Sequence, residues 1–539
     1  MSTESSADLA DRTPEPASAE PAGTPRTASA NAFVHRHASA VAALCTGAGW
    51  ALIMLLRLFA GGTIGMGDQG DARRLMCQLG VRSTAPFNGS PTPYLYTTWV
   101  KHAWYGETCT ADGAGGVFRS SELWLLSMAK HLTPVLGLPG ALDLRALGVI
   151  CALLVGVIVG ALVRVLPGPL LLRIGLASAV GLLAADSAVS QFLISPYSEP
   201  AELLGVLALC PALVALWRRG HTTWPSLAAV GFLGAVTIGA KSQALALLPA
   251  LVLALVWLPH GTKRAPVPDQ ASETGWRASA GRGLLWTVSR GPGLLVAGLL
   301  TLGSAYFVAT APVGLAEQNV YASVFGQILP HSSDRAADLR ALGASPTVAD
   351  ASGTNPESAN AVTTRLEYLR FRKDVTETNI IKFYLKHPGQ LVSAGTDGLH
   401  GVAHWRQDYL GSYPPHAAAP GTIEHRIGVY GAIMKDRPRI LYFLLWAATL
   451  YVGIRTVRHR NLAPQAQAIG RLAVVTSISA FLSFWIVMVS VGYPDMFRHM
   501  ILTNVLLALG LPLMIGCGVV RLLHARQEEA AKSTERAPA

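Results

Sequence analysis

The stretch ALIMLLRLFAGGTIGMGDQGDARRLM, residues 51–76, joins an apolar run to a highly charged segment. Four charged residues follow the apolar run within a few positions, namely Asp68, Asp71, Arg73 and Arg74. Charged side chains are costly inside the hydrocarbon region of a bilayer, so they mark the end of a span or a functional site. The stretch therefore predicts a membrane span that opens into a charged loop.

The composition of the whole chain is typical of a polytopic membrane protein. Of its 539 residues, 51% are hydrophobic and only 14% are charged, whereas soluble domains carry roughly a quarter charged residues. Apolar runs of about 20 residues, the length that crosses a bilayer, recur along the chain. We predict an all-α fold with ten transmembrane helices, at residues 39–60, 145–165, 169–187, 199–217, 225–240, 243–259, 293–312, 439–455, 472–491 and 499–521.

Basic residues in the short turns set the predicted orientation. They lie in turns on one side of the membrane: Arg164, Arg173, Arg218, Arg219, Lys263, Arg264, Arg277, Arg282, Arg290, Arg455, Arg458, Arg460 and Arg471. This distribution is the positive-inside bias, so we expect a cell-membrane protein with both termini in the cytoplasm. The same distribution explains the net charge of +11 without nucleic-acid binding.

The predicted topology divides the chain into five regions. They are a disordered cytoplasmic tail (1–38), an N-terminal membrane region (39–312) with a long external loop (61–144), an external loop subdomain (313–438), C-terminal membrane helices (439–523) and a cytoplasmic tail (524–539). The subdomain holds twelve basic and twelve acidic residues, so no charge bias retains it inside.

Three segments of the long loops carry a local pattern. FRSSELWLLSMAKHL, residues 118–132, has an apolar stripe at helical spacing, which favours a helix on the outer membrane surface or one packed against neighbouring spans. Residues 365–394 predict two helical pieces separated at 387–389, and SYPPHAAAPG, residues 412–421, predicts a break.

Two cysteines, Cys77 and Cys109, fall in the first external loop. Disulfides persist outside the cytoplasm. We therefore predict a bridge between them, with two free thiols as the alternative.

Four polar clusters arrive at the predicted external face. They are Asp68 with Asp71 and Arg73, Glu199 with Glu202, Lys241 with Gln243, and Asp495 with Arg498 and His499. Within the second and fourth clusters the spacing of three or four residues places the side chains on one helical face. Charges near span ends also serve as helix-dipole partners and interfacial anchors, so a purely structural role stays open.

The composition of these clusters suits a membrane enzyme that acts on a phosphate-bearing lipid. Carboxylates take a proton from a hydroxyl or hold a metal, and arginine, lysine and helix N-termini hold phosphate. Metal dependence stays open, because Asp68 and Asp71 could coordinate Mg²⁺ or Mn²⁺. No HExxH or CxxC motif occurs in the chain.

Five short motifs resemble the GT-C superfamily of polyprenyl-phosphate-sugar glycosyltransferases. They are GDQGD, YSEPAELLG, GAKSQALALLPA, EQNVYASVFGQILP and YPDMFRHMILTN, and their order is most similar to that in the hexosyltransferases of bacterial surface-layer glycan biosynthesis. The resemblance covers roughly residues 40–520. It implies a GT-C-like fold and a first-loop acid that acts as base or metal ligand, a role that carries over to Asp68 or Asp71.

These observations predict an inverting glycosyltransferase at the outer membrane face. Its partners would be a polyprenyl-phosphate hexose as donor, a cell-envelope glycan or lipid-linked acceptor, and membrane lipids, but no nucleic acid. Lys241, Arg498 and His499 would hold the departing phosphate, and Asp495 would orient Arg498.

Three alternatives stay open: a transporter or flippase of a lipid-linked or anionic saccharide, a glycan polymerase or ligase, and a non-catalytic assembly subunit. Transporters commonly place charge near the midplane and contain internal repeats, neither of which the sequence shows.

Overall fold

The computed structural model describes residues 25–86, 93–104, 117–219, 221–258, 276–356, 358, 360–407, 409–490 and 496–536. The α-helices of the first half are α1 Pro25–Phe59, α2 Arg73–Met76, α3 Glu122–Val135, α4 Leu144–Val165, α5 Leu170–Ala185, α6 Ser187–Ser190, α7 Glu199–Trp217, α8 Trp224–Ile238, α9 Leu248–Val256 and α10 Trp276–Ala309. Those of the second half are α11 Val313–Tyr321, α12 Arg335–Leu342, α13 Leu366–Asp374, α14 Glu377–Lys386, α15 Pro388–His404, α16 Val429–Met434, α17 Arg439–Arg458, α18 Pro464–Ser490, α19 Met496–His499 and α20 Ile501–Arg536.

Among the described residues, seven helices are long and apolar enough to cross a membrane. They are α1 over His37–Phe59, α4, α7, α10 over Arg290–Ala309, α17, α18, and α20 over Ile501–Thr534. Each coincides with a predicted span. An eighth span is possible by length where α5 continues, after a bend of 56°, into Ser187–Ile194. The chain is therefore a multi-pass membrane protein.

The two remaining predicted spans, 225–240 and 243–259, are shorter than a bilayer crossing. They correspond to α8 and to Ser242–Val256, which begins as a 3₁₀ turn and continues as α9. Lys241 lies in the break between them with an extended backbone. A lysine in a continuous apolar helix would be costly, and the break moves it to a helix end.

Both chain ends are more helical than we predicted. Helix α1 already begins at Pro25, inside the predicted tail 1–38, and α20 runs to Arg536, through most of the predicted tail 524–539. The side chains of α20 after residue 524 are largely exposed, so this extension lies outside the packed bundle.

A small antiparallel sheet in the first loop departs from the all-α prediction. Strand β1 is Val81–Ser83, β2 is Thr98–Lys101 and β3 is Leu142–Asp143, in the order β1-β2-β3. Strands of two to four residues are too short to show a period in the sequence. The sheet ties the start of this loop to its end, just before α4.

Helix α3 fits both interpretations of residues 118–132. One face, with Leu126 and Ala129, is buried beside α4 and α7, whereas Trp124 and Met128 are exposed. The ring of Trp124 stacks on Phe232 of α8, with the centroids 6.2 Å apart. The helix therefore packs against spans and keeps an apolar outer face.

The second loop is predominantly helical. The predicted break at 387–389 is present between α14 and α15, and a further break separates α13 from α14. Residues 412–421 contain no helix, as we predicted.

One irregular segment, residues 409–428, crosses the first loop, and we call it the strap. The N–H of Gly65 donates to Ser412 O (3.0 Å), and that of Gly67 donates to Gly411 O (2.9 Å). Only glycine fits at this crossing, because a Cβ on Gly411 would lie 1.9 Å from Pro93 O. The two long loops thus pack together at one end of the bundle, which we call the loop end.

Candidate functional site

The site lies at the loop end, where four parts of the chain meet. They are the turn at residues 65–72, the first turn of α7, the break after α8, and the one-turn helix α19. Apolar helices bring these segments together, and polar side chains occur where the helices end.

The turn after α1 fixes Asp68. Its Oδ1 accepts hydrogen bonds from the backbone N–H groups of Gly70 (2.9 Å) and Ala72 (3.2 Å). Gly70 has φ +112°, a conformation that L side chains rarely adopt, which explains this glycine. Gly65, by contrast, is needed for close packing, since a Cβ there would lie 2.1 Å from Ile194 O.

Asp71 is held between two arginines. Arg498 Nη2 donates to Asp71 Oδ2 at 2.6 Å, and Arg74 Nη1 lies 3.2 Å from Oδ1. The guanidinium of Arg498 also lies over the ring of Tyr197, 4.8 Å from its centroid. Arg498 is thus fixed on both sides and is 5% exposed, whereas Asp71 is 29% exposed.

Tyr197 links this ion pair to the turn. Its hydroxyl donates to Gly67 O (2.9 Å) and accepts from the N–H of Gln69 (2.8 Å). Burial raises the pKa of the Tyr197 phenol well above its ordinary value, so the hydroxyl stays neutral and can do both.

A second group of contacts surrounds Lys241. Its Nζ donates to Glu199 Oε1 at 2.8 Å and lies 2.8 Å from His499 Nδ1. The same ring nitrogen lies 2.9 Å from Gln243 Oε1. Because His499 follows Arg498 in the chain, the two groups of contacts form one network.

The environment of Asp68 shifts the pKa of its carboxyl towards neutral pH. Burial raises the pKa of its carboxyl to about 6, and the nearby Asp71 also raises it. The two backbone hydrogen bonds and Arg498 act in the opposite direction, but burial is the largest cause.

Glu202 lies one helical turn deeper than Glu199, and its side chain is 1% exposed. Its Oε1 has no hydrogen-bond partner among the described residues. A buried polar atom without a partner is uncommon and calls for an explanation. Glu202 follows Glu199 by three residues on the same helical face, but among the described residues only Glu199 forms an ion pair with Lys241.

The remaining predicted site residues have different outcomes. The guanidinium of Arg73 lies over the Trp104 ring at 5.2 Å, and its neighbour Arg74 makes the ion pair with Asp71. Asp495, predicted to orient Arg498, lies outside the described residues. Arg498 and His499 lie in α19, which precedes the last span, and not in that span's first turn.

The cysteine prediction is tested in part. Cys77 is disulfide-bonded. Cys109, its predicted partner, lies outside the described residues.

The oxygens of Asp68 and Asp71 are arranged to accept hydrogen bonds from N–H groups, and this arrangement does not suit a divalent cation. Both oxygens of Asp71 face arginines, and Oδ1 of Asp68 accepts two backbone N–H groups. Within the described part of the chain, no group of three or more His, Cys, Asp or Glu side chains has an arrangement that could hold a metal ion. We therefore assign no step to Mg²⁺ or Mn²⁺.

The sequence analysis missed two members of the site. Tyr197 was missed because it is uncharged, and the clusters were identified from charged side chains. Glu122 is fully buried at the start of α3, and its Oε2 accepts from the N–H of Ala201 at 2.8 Å. A signal for Glu122 exists, because it precedes the buried Leu126, Ala129 and Thr133 at helical spacing on an otherwise apolar face.

These features define a multi-pass membrane protein with a network of charged side chains at one end of its helical bundle. Residues 30–536 match the family model described as YfdI N-terminal transmembrane domain, so the chain belongs to this family. No curated protein matches the chain. No solved structure matches it either.

Proposed function

We propose that the chain is an inverting glycosyltransferase that moves a hexose from a polyprenyl-phosphate sugar to a cell-envelope glycan acceptor. The observation that carries the proposal is the single network that joins Asp71, Arg498, His499, Lys241 and Glu199 beside the half-buried Asp68. It combines a carboxylate poised near neutral pH with three nitrogen-bearing side chains that suit phosphate. The resemblance to GT-C enzymes points to the same chemistry.

Asp68 is the better candidate for the base. A general base works best when its pKa lies near the operating pH, and burial raises the pKa of Asp68 to about 6. Asp71 is committed to ion pairs with Arg498 and Arg74. We assign it the role of orienting Arg498, which we had first given to Asp495.

Arg498, Lys241 and His499 are the candidates for the phosphate site. Arginine offers a planar pair of donors that matches phosphate oxygens, and lysine adds a compact charge. Both cations already bind carboxylates, Asp71 and Glu199, so an anion of similar geometry is compatible with their position. The departing phosphate gains negative charge, and groups placed where charge develops stabilise the transition state.

The proposed reaction is balanced without a further reagent. The acceptor hydroxyl loses its proton to Asp68, and its oxygen forms a bond to the anomeric carbon of the hexose. The bond between that carbon and the phosphate oxygen breaks, and its electron pair leaves with polyprenyl phosphate. Attack opposite to the leaving group inverts the anomeric configuration.

The proposed orientation places the loop end outside the cytoplasmic membrane, because the basic turns lie at the other end of the helices. Cysteine labelling tests it with a matched pair of sites. Thr347→Cys in the second loop should react with an impermeant maleimide in intact cells, whereas Asn461→Cys, between α17 and α18, should react only after lysis. The reverse pattern would place the site inside.

Purified protein incubated with a panel of labelled polyprenyl-phosphate sugars and envelope glycan acceptors tests the reaction. The proposal predicts acceptor-dependent release of polyprenyl phosphate together with a labelled glycan. Proteoliposomes that carry the same labelled lipids provide the contrast. Movement of intact lipid across the bilayer, without cleavage of the sugar–phosphate bond, would support the transporter alternative instead.

A further inference from the structure

We propose that Ser120, Ser121 and Glu122 form a clamp that fixes the separation of Glu199 and Lys241, and so act as positioning residues. The clamp consists of hydrogen bonds within the protein and does not depend on any proposed reaction. Its effect on catalysis rests on the proposed glycosyltransferase function.

On one side, the clamp holds the end of α8. Ser121 N–H donates to Gly239 O (2.9 Å), and its hydroxyl donates to Val236 O (2.6 Å). Ser120 Oγ donates to Ala240 O (2.7 Å). The last carbonyl groups of a helix lack partners within the helix. The two serines donate to three carbonyl groups in the five residues that precede Lys241.

On the other side, the clamp holds the start of α7. Ala201 is the third residue of this helix, and its N–H, which has no partner within the helix, donates to Glu122 Oε2 at 2.8 Å. Ser198 makes no side-chain cap, and Pro200 has no N–H to donate. Glu122 therefore caps α7 from another helix, in the turn that carries Glu199.

The two held ends carry the two partners of one ion pair. Glu199 is the first residue of α7, and Lys241 follows Ala240 directly. Their charged atoms lie 2.8 Å apart, so small shifts of either helix end would separate them. Three consecutive residues of α3 and its preceding turn thus connect both backbones that set this distance. Glu122 is fully buried and Ser120 is 9% exposed, so water does not compete readily for these bonds.

Glutamine is the matched replacement for Glu122. Burial raises the pKa of this carboxyl well above its ordinary value, which favours the neutral acid that glutamine resembles. The amide oxygen of E122Q can still accept from Ala201, whereas E122A removes the acceptor. K130A serves as a control on the same helix, because Lys130 Nζ donates to Leu79 O in the first loop (2.7 Å) and not to α7 or α8.

Hydrogen–deuterium exchange of the purified full chain tests the clamp without reference to any reaction. In E122A, amides in the first turn of α7 should exchange about tenfold faster than in wild type, as for a local opening favoured by the loss of one buried hydrogen bond. E122Q and K130A should exchange there as wild type does. In S120A/S121A, the faster exchange should appear at residues 236–241. Unchanged exchange in E122A would overturn the clamp.

Sugar transfer tests the positioning role. E122A should lower kcat about tenfold to a hundredfold with little change in donor KM, because displaced groups lose transition-state geometry. E122Q should restore kcat, and K130A should leave it unchanged. Wild-type kcat in an E122A protein with faster exchange would overturn the positioning role. If wild-type protein transfers no sugar, the proposed function fails, and the exchange result alone decides the clamp.

Discussion

Two buried charge clusters lie at the loop end, and they differ in how their charges are matched. In the first, Glu424 of the strap is enclosed by the guanidinium groups of Arg57 and Arg426 and by the hydroxyl of Ser187. Both carboxylate oxygens have partners there. In the second, the candidate site, Glu202 Oε1 has none among the described residues.

We interpret the difference as one between an anchoring cluster and a proposed ligand-binding cluster. A carboxylate enclosed by two cations and a hydroxyl is satisfied by the protein itself, and this one connects the strap to Arg57 of α1 and to Ser187 at the start of α6. The candidate site contains four acidic side chains, and its cations contact more than one group each. Arg498 contacts Asp71 and Tyr197, and Lys241 contacts Glu199 and His499. Buried polar atoms are normally paired. Arg57 Nη1 in the strap cluster also lacks a partner among the described residues, so the contrast rests on the carboxyl groups. Both oxygens of Glu424 are paired, whereas Glu202 Oε1 is an acceptor that a polar ligand could pair.

The largest expected effect is on catalysis. D68N removes the proposed base while keeping its shape, so kcat for sugar transfer should fall about 10²–10⁴-fold. D350N is the control, because Asp350 pairs with Arg365 in the second loop and is well exposed. Polyprenyl phosphate release per folded molecule measures both variants. A D68N protein as active as D350N would remove Asp68 from the mechanism.

Substitution in the strap cluster should lower the stability of the protein and leave its rate of sugar transfer unchanged. E424Q leaves the buried Arg57 without its anionic partner, which should lower the free energy of unfolding by about 3–5 kcal/mol. Thermal unfolding in detergent and activity per folded molecule are the two measurements. A stable E424Q protein with strongly reduced kcat would instead make the strap part of the catalytic site.

The phosphate site should show an intermediate effect. R498Q and K241Q should each remove a proposed charged hydrogen bond to the leaving group, worth about 1.5–3 kcal/mol, or roughly tenfold to a hundredfold in kcat. Acceptor KM should change little, since the proposed mechanism assigns these groups to the donor phosphate. If both variants keep wild-type specific activity but insert poorly, Arg498 and Lys241 are interfacial anchors.

The smallest effect is a pH dependence. The proposed mechanism requires Asp68 in its ionised form, and burial raises its pKa to about 6, so protonation below that pH should remove the base. The value of kcat/KM should therefore be constant above about pH 7 and fall about tenfold per pH unit well below pH 6. A rate profile that stays flat down to about pH 4 would show that no raised carboxyl controls the reaction.

Hydropathy and charge made much of the fold predictable. Seven predicted spans coincide with long apolar helices. The length of an apolar run and the positions of its charged residues can both be taken directly from the sequence of one segment. The break at Lys241 follows from the cost of a buried charge. The sequence analysis missed the three short strands and the polar ends of α1 and α20. These segments are too short, or contain too few apolar residues, to show the spacing of apolar residues that identifies a strand or a helix.

Most members of the candidate site were predictable from the sequence, apart from Tyr197 and Glu122, but their pairings were not. Asp71 and Arg498 are 427 positions apart, and nothing in either segment indicates the other. The same holds for Glu122 and Ala201, which meet only because α3 lies across two helix ends. Local pattern identifies which residues are exceptional, whereas tertiary packing decides which of them touch.

Binding of polyprenyl phosphate to the purified chain tests the central claim most directly, because it needs neither the sugar nor the acceptor. The proposed leaving group should bind saturably to wild-type protein, and polyprenol of the same length, which lacks the phosphate, should bind much more weakly. R498Q and K241Q should each raise Kd about tenfold or more, as expected for the loss of a charged hydrogen bond. Equal affinity for polyprenyl phosphate and polyprenol, or wild-type affinity in both variants, would contradict the assignment of this network as a phosphate site.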